Sequence, residues 1–156
     1  HVLNNIFEQE FKDFELIAVN DGSTDMSSTI LAEYAHKDSR LKVVNQTNSG
    51  VGSARSKGLD IATGEYVGFV DCDDEVSPKL LAENIHLMEE YSADLVLFGY
   101  SRYYPSENEE KFEIPTKQTE VFGGLGCLHK FFPQIFHSFV LPRHPNNLLF
   151  RSVLCL

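Results

Sequence analysis

The sequence predicts an α/β fold built on a central, mostly parallel β-sheet, and three observations carry that prediction. Four short β-rich runs, "FELIAVND" (14–21), "LKVVNQ" (41–46), "EYVGFVD" (65–71) and "DLVLFGY" (94–100), are largely apolar on both alternating faces, as suits strands covered from both sides. Helical patterns fall between them. The links are short, so strand and helix alternate with right-handed crossovers.

Taken in order, "HVLNNIFEQEF" is an amphipathic helical stretch with no strand before it. After the first run, "MSSTILAEYAHKD" places Ile30, Leu31, Tyr34 and Ala35 at helical spacing, with Ser23, Thr24 or Asp25 able to cap the start. A second helix is predicted over 51–62, ending near Gly64. A third follows Ser77-Pro78, with Ser as N-cap, Pro at the first helical position, and Leu81, Ile85 and Met88 inside. Beyond Tyr100, "SRYYPSENEEKFEIPTKQTE" lacks a sustained period and reads as a polar excursion or irregular hairpin. Residues 123–137 carry an apolar helical face (Leu125, Leu128, Phe131, Phe132, Ile135), and "LPRHPNN" turns into a last short helix. Residues 1–100 thus form the core and 101–156 begin a second region. The chain opens without a strand and closes on the apolar "NNLLFRSVLCL", so a fragment cut at both ends is expected.

Bulk properties exclude several functions. A chain of 156 residues, 42% hydrophobic, supports one core. Its net charge of −10 argues against a nucleic-acid backbone or an anionic membrane surface as main partner. No apolar run approaches the ~18 residues of a membrane span. Cys72, Cys127 and Cys155 form neither a disulfide framework nor a zinc motif, and the six histidines are scattered; a cytoplasmic setting fits.

The chemistry concentrates at strand ends. In a doubly wound sheet, ligands bind outside the carboxyl ends of the strands. Three polar features map there: Asn20-Asp21-Gly22-Ser23, "NQTNSGVGSAR", and "DCDDE" with Asp71, Asp73, Asp74 and Glu75. Clustered carboxylates repel unless solvated or met by a cation. A solvated acidic turn is the bland explanation. A divalent cation bound jointly by the DxD carboxylates and diphosphate oxygens is the functional one, because Mg²⁺ and Mn²⁺ need only one or two carboxylates beside a phosphate.

Two other chemistries share parts of this pattern. "GVGSARSKG" with Asp71 some twenty residues on imitates a dinucleotide fingerprint, but Arg55 occupies the place of the third Gly. An aspartyl-phosphate phosphatase also uses a strand-end DxD, with Mg²⁺. Its pattern wants Thr or Val where Glu75 stands, and no later Lys followed by an acidic pair completes it.

"FEQEFKDFELIAVNDGSTDMSS", "NQTNSGVGSARSKGLDIATGEYVGFVDCDDEVSP" and "ADLVLFGY" closely resemble the inverting glycosyltransferases of family 2, which share the Rossmann-like GT-A nucleotide-sugar-binding fold. The match covers about residues 5 to 100. "PNNLLFRSV" is a weaker version of the family's Pro-x-Asn-Lys-Leu-Phe/Tyr-Arg segment, with Leu148 or Leu149 where Lys is usual.

The resemblance implies that Asp21 holds the uracil or ribose of a UDP-sugar. Arg55 contacts base or diphosphate, and Asn48 and Gly50 line the same pocket. Ser56 replaces the family's usual Asn. Asp73 meets ribose and metal, Asp74 ligates the metal directly, and Asp71 supports the diphosphate side, with Mn²⁺ or Mg²⁺ as cofactor. The implied reaction is transfer of a hexose or N-acetylhexosamine, with inversion, to a glycan or lipid-linked acceptor, as in bacterial polysaccharide synthesis. The general base is expected beyond Leu156, and the family's first strand is missing. The fragment is therefore expected to turn over little and to expose a sheet edge open to self-association. The parent protein retains scope for peripheral membrane association at the inner face. The competing class is a nucleotide-binding scaffold without catalysis.

Overall fold

The computed structural model describes residues 2–93, 96–98, 100–104, 109–113, 139–142 and 150–155. In chain order the elements are α1 (Val2–Phe7), β1 (Phe14–Asp21), α2 (Ser27–Lys37), β2 (Leu41–Gln46), α3 (Val51–Ile61), β3 (Tyr66–Asp71) and α4 (Leu80–Tyr91). They are followed by β4 (Val96–Leu97), β5 (Tyr100–Tyr104), β6 (Glu109–Glu113), β7 (Phe139–Pro142) and β8 (Phe150–Cys155).

β1 shows why a sheet forms between two layers. Leu16, Ile17, Ala18 and Val19 are all fully buried, and they divide by strand alternation. Phe14, Leu16 and Ala18 join one core with Val2, Leu3 and Ile6 of α1, Leu31 of α2 and Leu81, Ile85 and Met88 of α4. Ile17 and Val19 join the other, with Ala54 of α3, Ala62 and Val67. Helices thus cover both faces.

The main sheet runs β2-β1-β8-β3-β7-β4. β1 pairs in parallel with β2 and β8, and β8 in parallel with β3; β7 is antiparallel to β3 and β4. β5 and β6 form a separate antiparallel hairpin, as expected of the polar stretch after Tyr100.

Several expectations are corrected. "FRSVLC" is not a short helix but the strand β8, inserted between β1 and β3. Two flanking strands offer it a hydrogen-bond ladder on each side, a tertiary gain that local pattern does not reveal. By the same insertion β1 has a neighbour on both sides, so no open edge lies beside it, and among the described residues the outermost strands are β2 and β4. Of the predicted 94–100 run, Val96–Leu97 form β4 and Tyr100 opens β5, while residues 94, 95 and 99 lie outside the described residues.

The helix caps also differ. In α2 the N-cap is Met26, whose side chain makes no capping bond, and of the three expected residues it is Asp25 that serves the helix start, its carboxylate accepting from the Ser27 N–H at 2.9 Å. α4 begins two residues after Pro78, with Lys79 as N-cap, and Ser77 shapes the preceding turn by accepting from the Lys79 and Leu80 N–H groups. The helix predicted over 123–137 lies outside the described residues.

Candidate functional site

Parallel register carries three strand ends to one edge. Asp21 closes β1 opposite Gln46, the last residue of β2. Asp71 closes β3, in line with Cys155 and, across β8, with Val19. Asp21 and Asp71 are therefore two strands apart, a lateral separation of about 10 Å.

The β1 end is tied to the loop after β2. Buried Asn20 donates to the Asn45 side chain at 2.9 Å, and its oxygen accepts from the Ser23 N–H at 3.0 Å. Gly22 then turns the chain at φ +74°, so close to the neighbouring loop that a Cβ there would lie 2.6 Å from the Asn48 backbone nitrogen. The carboxylate of Asp21 accepts three hydrogen bonds of 2.8 Å, from the Gln46 side-chain amide and from the Ser49 and Gly50 N–H groups. The Gln46 amide and then the backbone donors hold its pKa below the ordinary 3.8, because all of them favour the charged form. Gly50, at φ +86°, is the N-cap of α3, so an anion sits where the helix dipole favours one.

Helix α3 links this corner to β3. Its Arg55 donates through Nη2 to Asp71 Oδ1 at 2.9 Å, and the guanidinium lies over the Phe69 ring, 5.4 Å from the centroid. The chain then turns tightly, with the Asp74 N–H donating to the Asp71 carbonyl at 3.1 Å. Cys72, Asp73, Asp74 and Glu75 are exposed in this turn. Partial desolvation, reinforced by the Asp73, Asp71 and Asp74 carboxylates, holds the Cys72 thiol above its ordinary 9.0, which leaves little thiolate.

Among the predicted site residues, Asp21, Asn48 and Gly50 are therefore adjacent, and Arg55 is joined to Asp71. Asp73 and Asp74 stand in the turn beyond. Among the described residues, no group of three or more His, Cys, Asp or Glu converges as a ready-made metal centre. The turn presents hard carboxylate oxygens of the kind Mg²⁺ and Mn²⁺ prefer, in a number that suits a cation sharing its shell with a phosphate. Sequence reasoning missed Gln46 and Ser49 as Asp21's partners. A signal existed: a polar amide ending one strand beside the neighbouring strand's terminal Asp.

An α/β sheet with helices on both faces, polar loops converging at the strands' carboxyl ends and an acidic turn after one of them is a doubly wound build, whose ligands bind at that edge. Residues 1–149 match Glycosyl transferase family 2, and the chain belongs to that family. It is 35% identical over 113 residues to the uncharacterized glycosyltransferase EpsJ of Bacillus subtilis, covering 72% of this chain and 32% of that protein. Glycosyltransferase GlyA of Streptococcus pneumoniae is 37% identical over 112 residues, 72% of this chain and 16% of that one. In structure the chain is similar to S. aureus TarS, with a TM-score of 0.57 and 36% identity over 62% of this chain and 29% of that chain. The chain spans about a third or less of the length of these proteins. No helix among the described residues is long and apolar enough to cross a membrane.

Proposed function

We propose that this edge binds a nucleoside diphosphate sugar of the UDP class. The protein would pass its hexosyl or N-acetylhexosaminyl group, with inversion, to a glycan or lipid-linked acceptor. The observation that supports this reading is the Arg55–Asp71 pair, at 2.9 Å beside an exposed acidic turn. It sets a fixed cation at the strand ends, where a diphosphate must have its charge met.

In this reading Asp71 orients the Arg55 guanidinium toward the diphosphate, a planar donor suited to phosphate oxygens. Asp21, held by Gln46 and the α3 N-terminus, fixes the loop carrying Asn48 and Gly50 and presents an acceptor to base or ribose. Asp73 and Asp74 would hold Mn²⁺ or Mg²⁺, Asp73 also meeting ribose. Such a cation, when bound, neutralises charge on the departing diphosphate. Single displacement requires the acceptor oxygen to attack the anomeric carbon as the bond to diphosphate breaks on the opposite face. The acceptor's proton passes to a carboxylate base that none of the residues named here supplies.

The test is titration calorimetry of UDP into this chain, with and without Mn²⁺, repeated on the Asp73→Asn, Asp74→Asn double variant. Manganese-dependent binding that the variant loses supports the site. Equal binding by both proteins removes the cation from the account, and no binding by folded chain overturns the nucleotide reading.

A further inference from the structure

Gln9, in the link between α1 and β1, is among the most buried side chains of the molecule, at 1% exposure. A buried amide requires partners, and those of Gln9 lie on the far side of the acidic turn. Its Nε2 donates to the Ser77 carbonyl at 2.6 Å, with a longer contact of 3.4 Å to the Asn5 carbonyl. Its Oε1 accepts from the Leu81 N–H at 3.1 Å. The adjacent Glu10 N–H donates to the Pro78 carbonyl at 2.8 Å. Leu81 is the second residue of α4, which has no capping side chain of its own. An N-cap residue normally supplies an oxygen to that N–H. Here a residue some seventy positions away does so.

The acidic turn is thus anchored at both ends. Asp71 is held upstream by Arg55. Downstream, Val76 packs on the core and Ser77 to Leu81 are strapped by Gln9 and Glu10. Only Cys72 to Glu75 stand between these anchors. Core packing alone would be met by an apolar residue; an amide that both donates and accepts fixes where the turn ends.

We infer that Gln9 is a positioning residue for the acidic turn: it caps α4 from a distance and sets the placement of Asp73 and Asp74. Its effect on nucleotide affinity rests on the reading proposed above; its effect on the turn does not.

Gln9→Met keeps side-chain length and removes the side chain's hydrogen bonds. Leu31→Val, in α2, loosens the same core without touching the turn and controls for general destabilisation. Amide hydrogen exchange in the full chain reads the positioning directly. Gln9→Met should speed exchange across Asp74 to Leu81 by about tenfold or more, the consequence of a lost buried bond, while β1 and β2 stay as in the parent chain. Leu31→Val should leave the 74–81 segment in step with the remainder. Unchanged exchange at 74–81 in Gln9→Met, or a uniform rise across the chain, overturns the inference.

Calorimetry with UDP and Mn²⁺ then reads the consequence. Affinity should fall about tenfold in Gln9→Met and less than about twofold in Leu31→Val. Parent-like affinity in a Gln9→Met protein with fast turn exchange would show that the turn's placement does not govern binding, and overturns that half. Absence of binding in the parent chain counts against the nucleotide reading alone, since exchange still decides the positioning.

Discussion

The guanidinium of Arg55 lies 2.9 Å from the carboxylate of Asp71, so the helix that follows β2 is tied to the end of β3. Both side chains keep contact with water, at 25% and 39% exposure. An ion pair so placed contributes little to stability, about 0–1 kcal/mol. Arg55→Ala should therefore leave the melting temperature nearly unchanged yet weaken UDP binding by about tenfold or more, since a phosphate-facing guanidinium makes charge-assisted bonds. Calorimetry beside thermal melting checks it. Equal losses in both would reduce the pair to a structural tie.

Asp21 gives the site a pH signature. Its pKa is held below the ordinary 3.8, first by Gln46 and then by the Ser49 and Gly50 amides. A carboxylate whose folded pKa is depressed contributes stability above its unfolded pKa, and loses it as pH falls through the folded value. The 46–50 loop should thus hold its place at neutral and mildly acid pH and loosen only below 3.8. The Ser49 and Gly50 amide shifts, followed by NMR from pH 7 downward, should show a common midpoint under that value. Asp21→Asn should abolish the midpoint; a transition at or above 3.8 would mean that these bonds do not form in solution.

Glycines separate geometry from composition. At Gly22 the backbone has φ +74° and an added Cβ would lie 2.6 Å from the Asn48 nitrogen. Gly22→Ala should destabilise by at least 1–2 kcal/mol, roughly the left-handed strain alone, and displace the loop that carries Asn48 and Gly50. Gly52 lies within α3, has nothing within 4 Å of its would-be Cβ, and does not have positive φ. Gly52→Ala should be neutral or stabilising by roughly 0.5 kcal/mol. Chemical denaturation of the two variants gives the comparison, and a Gly22→Ala protein as stable as the parent would refute the close approach.

Much of this arrangement was legible in the sequence because it is local. β1 and β3 are apolar runs buried nearly throughout, whereas β2, at the end of the sheet, buries only Leu41 and is not covered on both sides as expected; α2 to α4 show helical periodicity, and the polar strand ends follow from parallel topology. What escaped depends on distant partners. "FRSVLC" becomes β8 only because β1 and β3 flank it, and "FVLP" becomes β7 by pairing with β3 and β4. Gln9 reads as one more polar residue of an amphipathic stretch until Leu81 arrives beside it. Asp21, Arg55 and Asp71 were all expected as site residues, but neither Gln46 as the partner of Asp21 nor the pairing of Arg55 with Asp71 was, since hydrogen-bond pairing is set by register rather than residue type.

A second arginine gives the sharpest control. Arg40, like Arg55, has a side chain 25% exposed and pairs with an aspartate: it meets Asp38 at 3.0 and 2.7 Å. It also lies over aromatic rings, 4.4 Å from Phe14 and 5.2 Å from Phe7. Burial and partner type therefore cannot separate the two residues. Position does: Arg40 precedes β2 and stacks on the first residue of β1, at the strands' amino ends, whereas Arg55 faces their carboxyl ends. Lysine keeps the charge but loses the planar fork and its stacking. Arg40→Lys should consequently destabilise the fold by about 1 kcal/mol and leave UDP affinity unchanged. Arg55→Lys should do the reverse, with little change in melting and about a tenfold loss of affinity. Measured side by side, this crossover would assign binding to one edge of the sheet. Parallel losses in both variants would show that each arginine serves the fold alone.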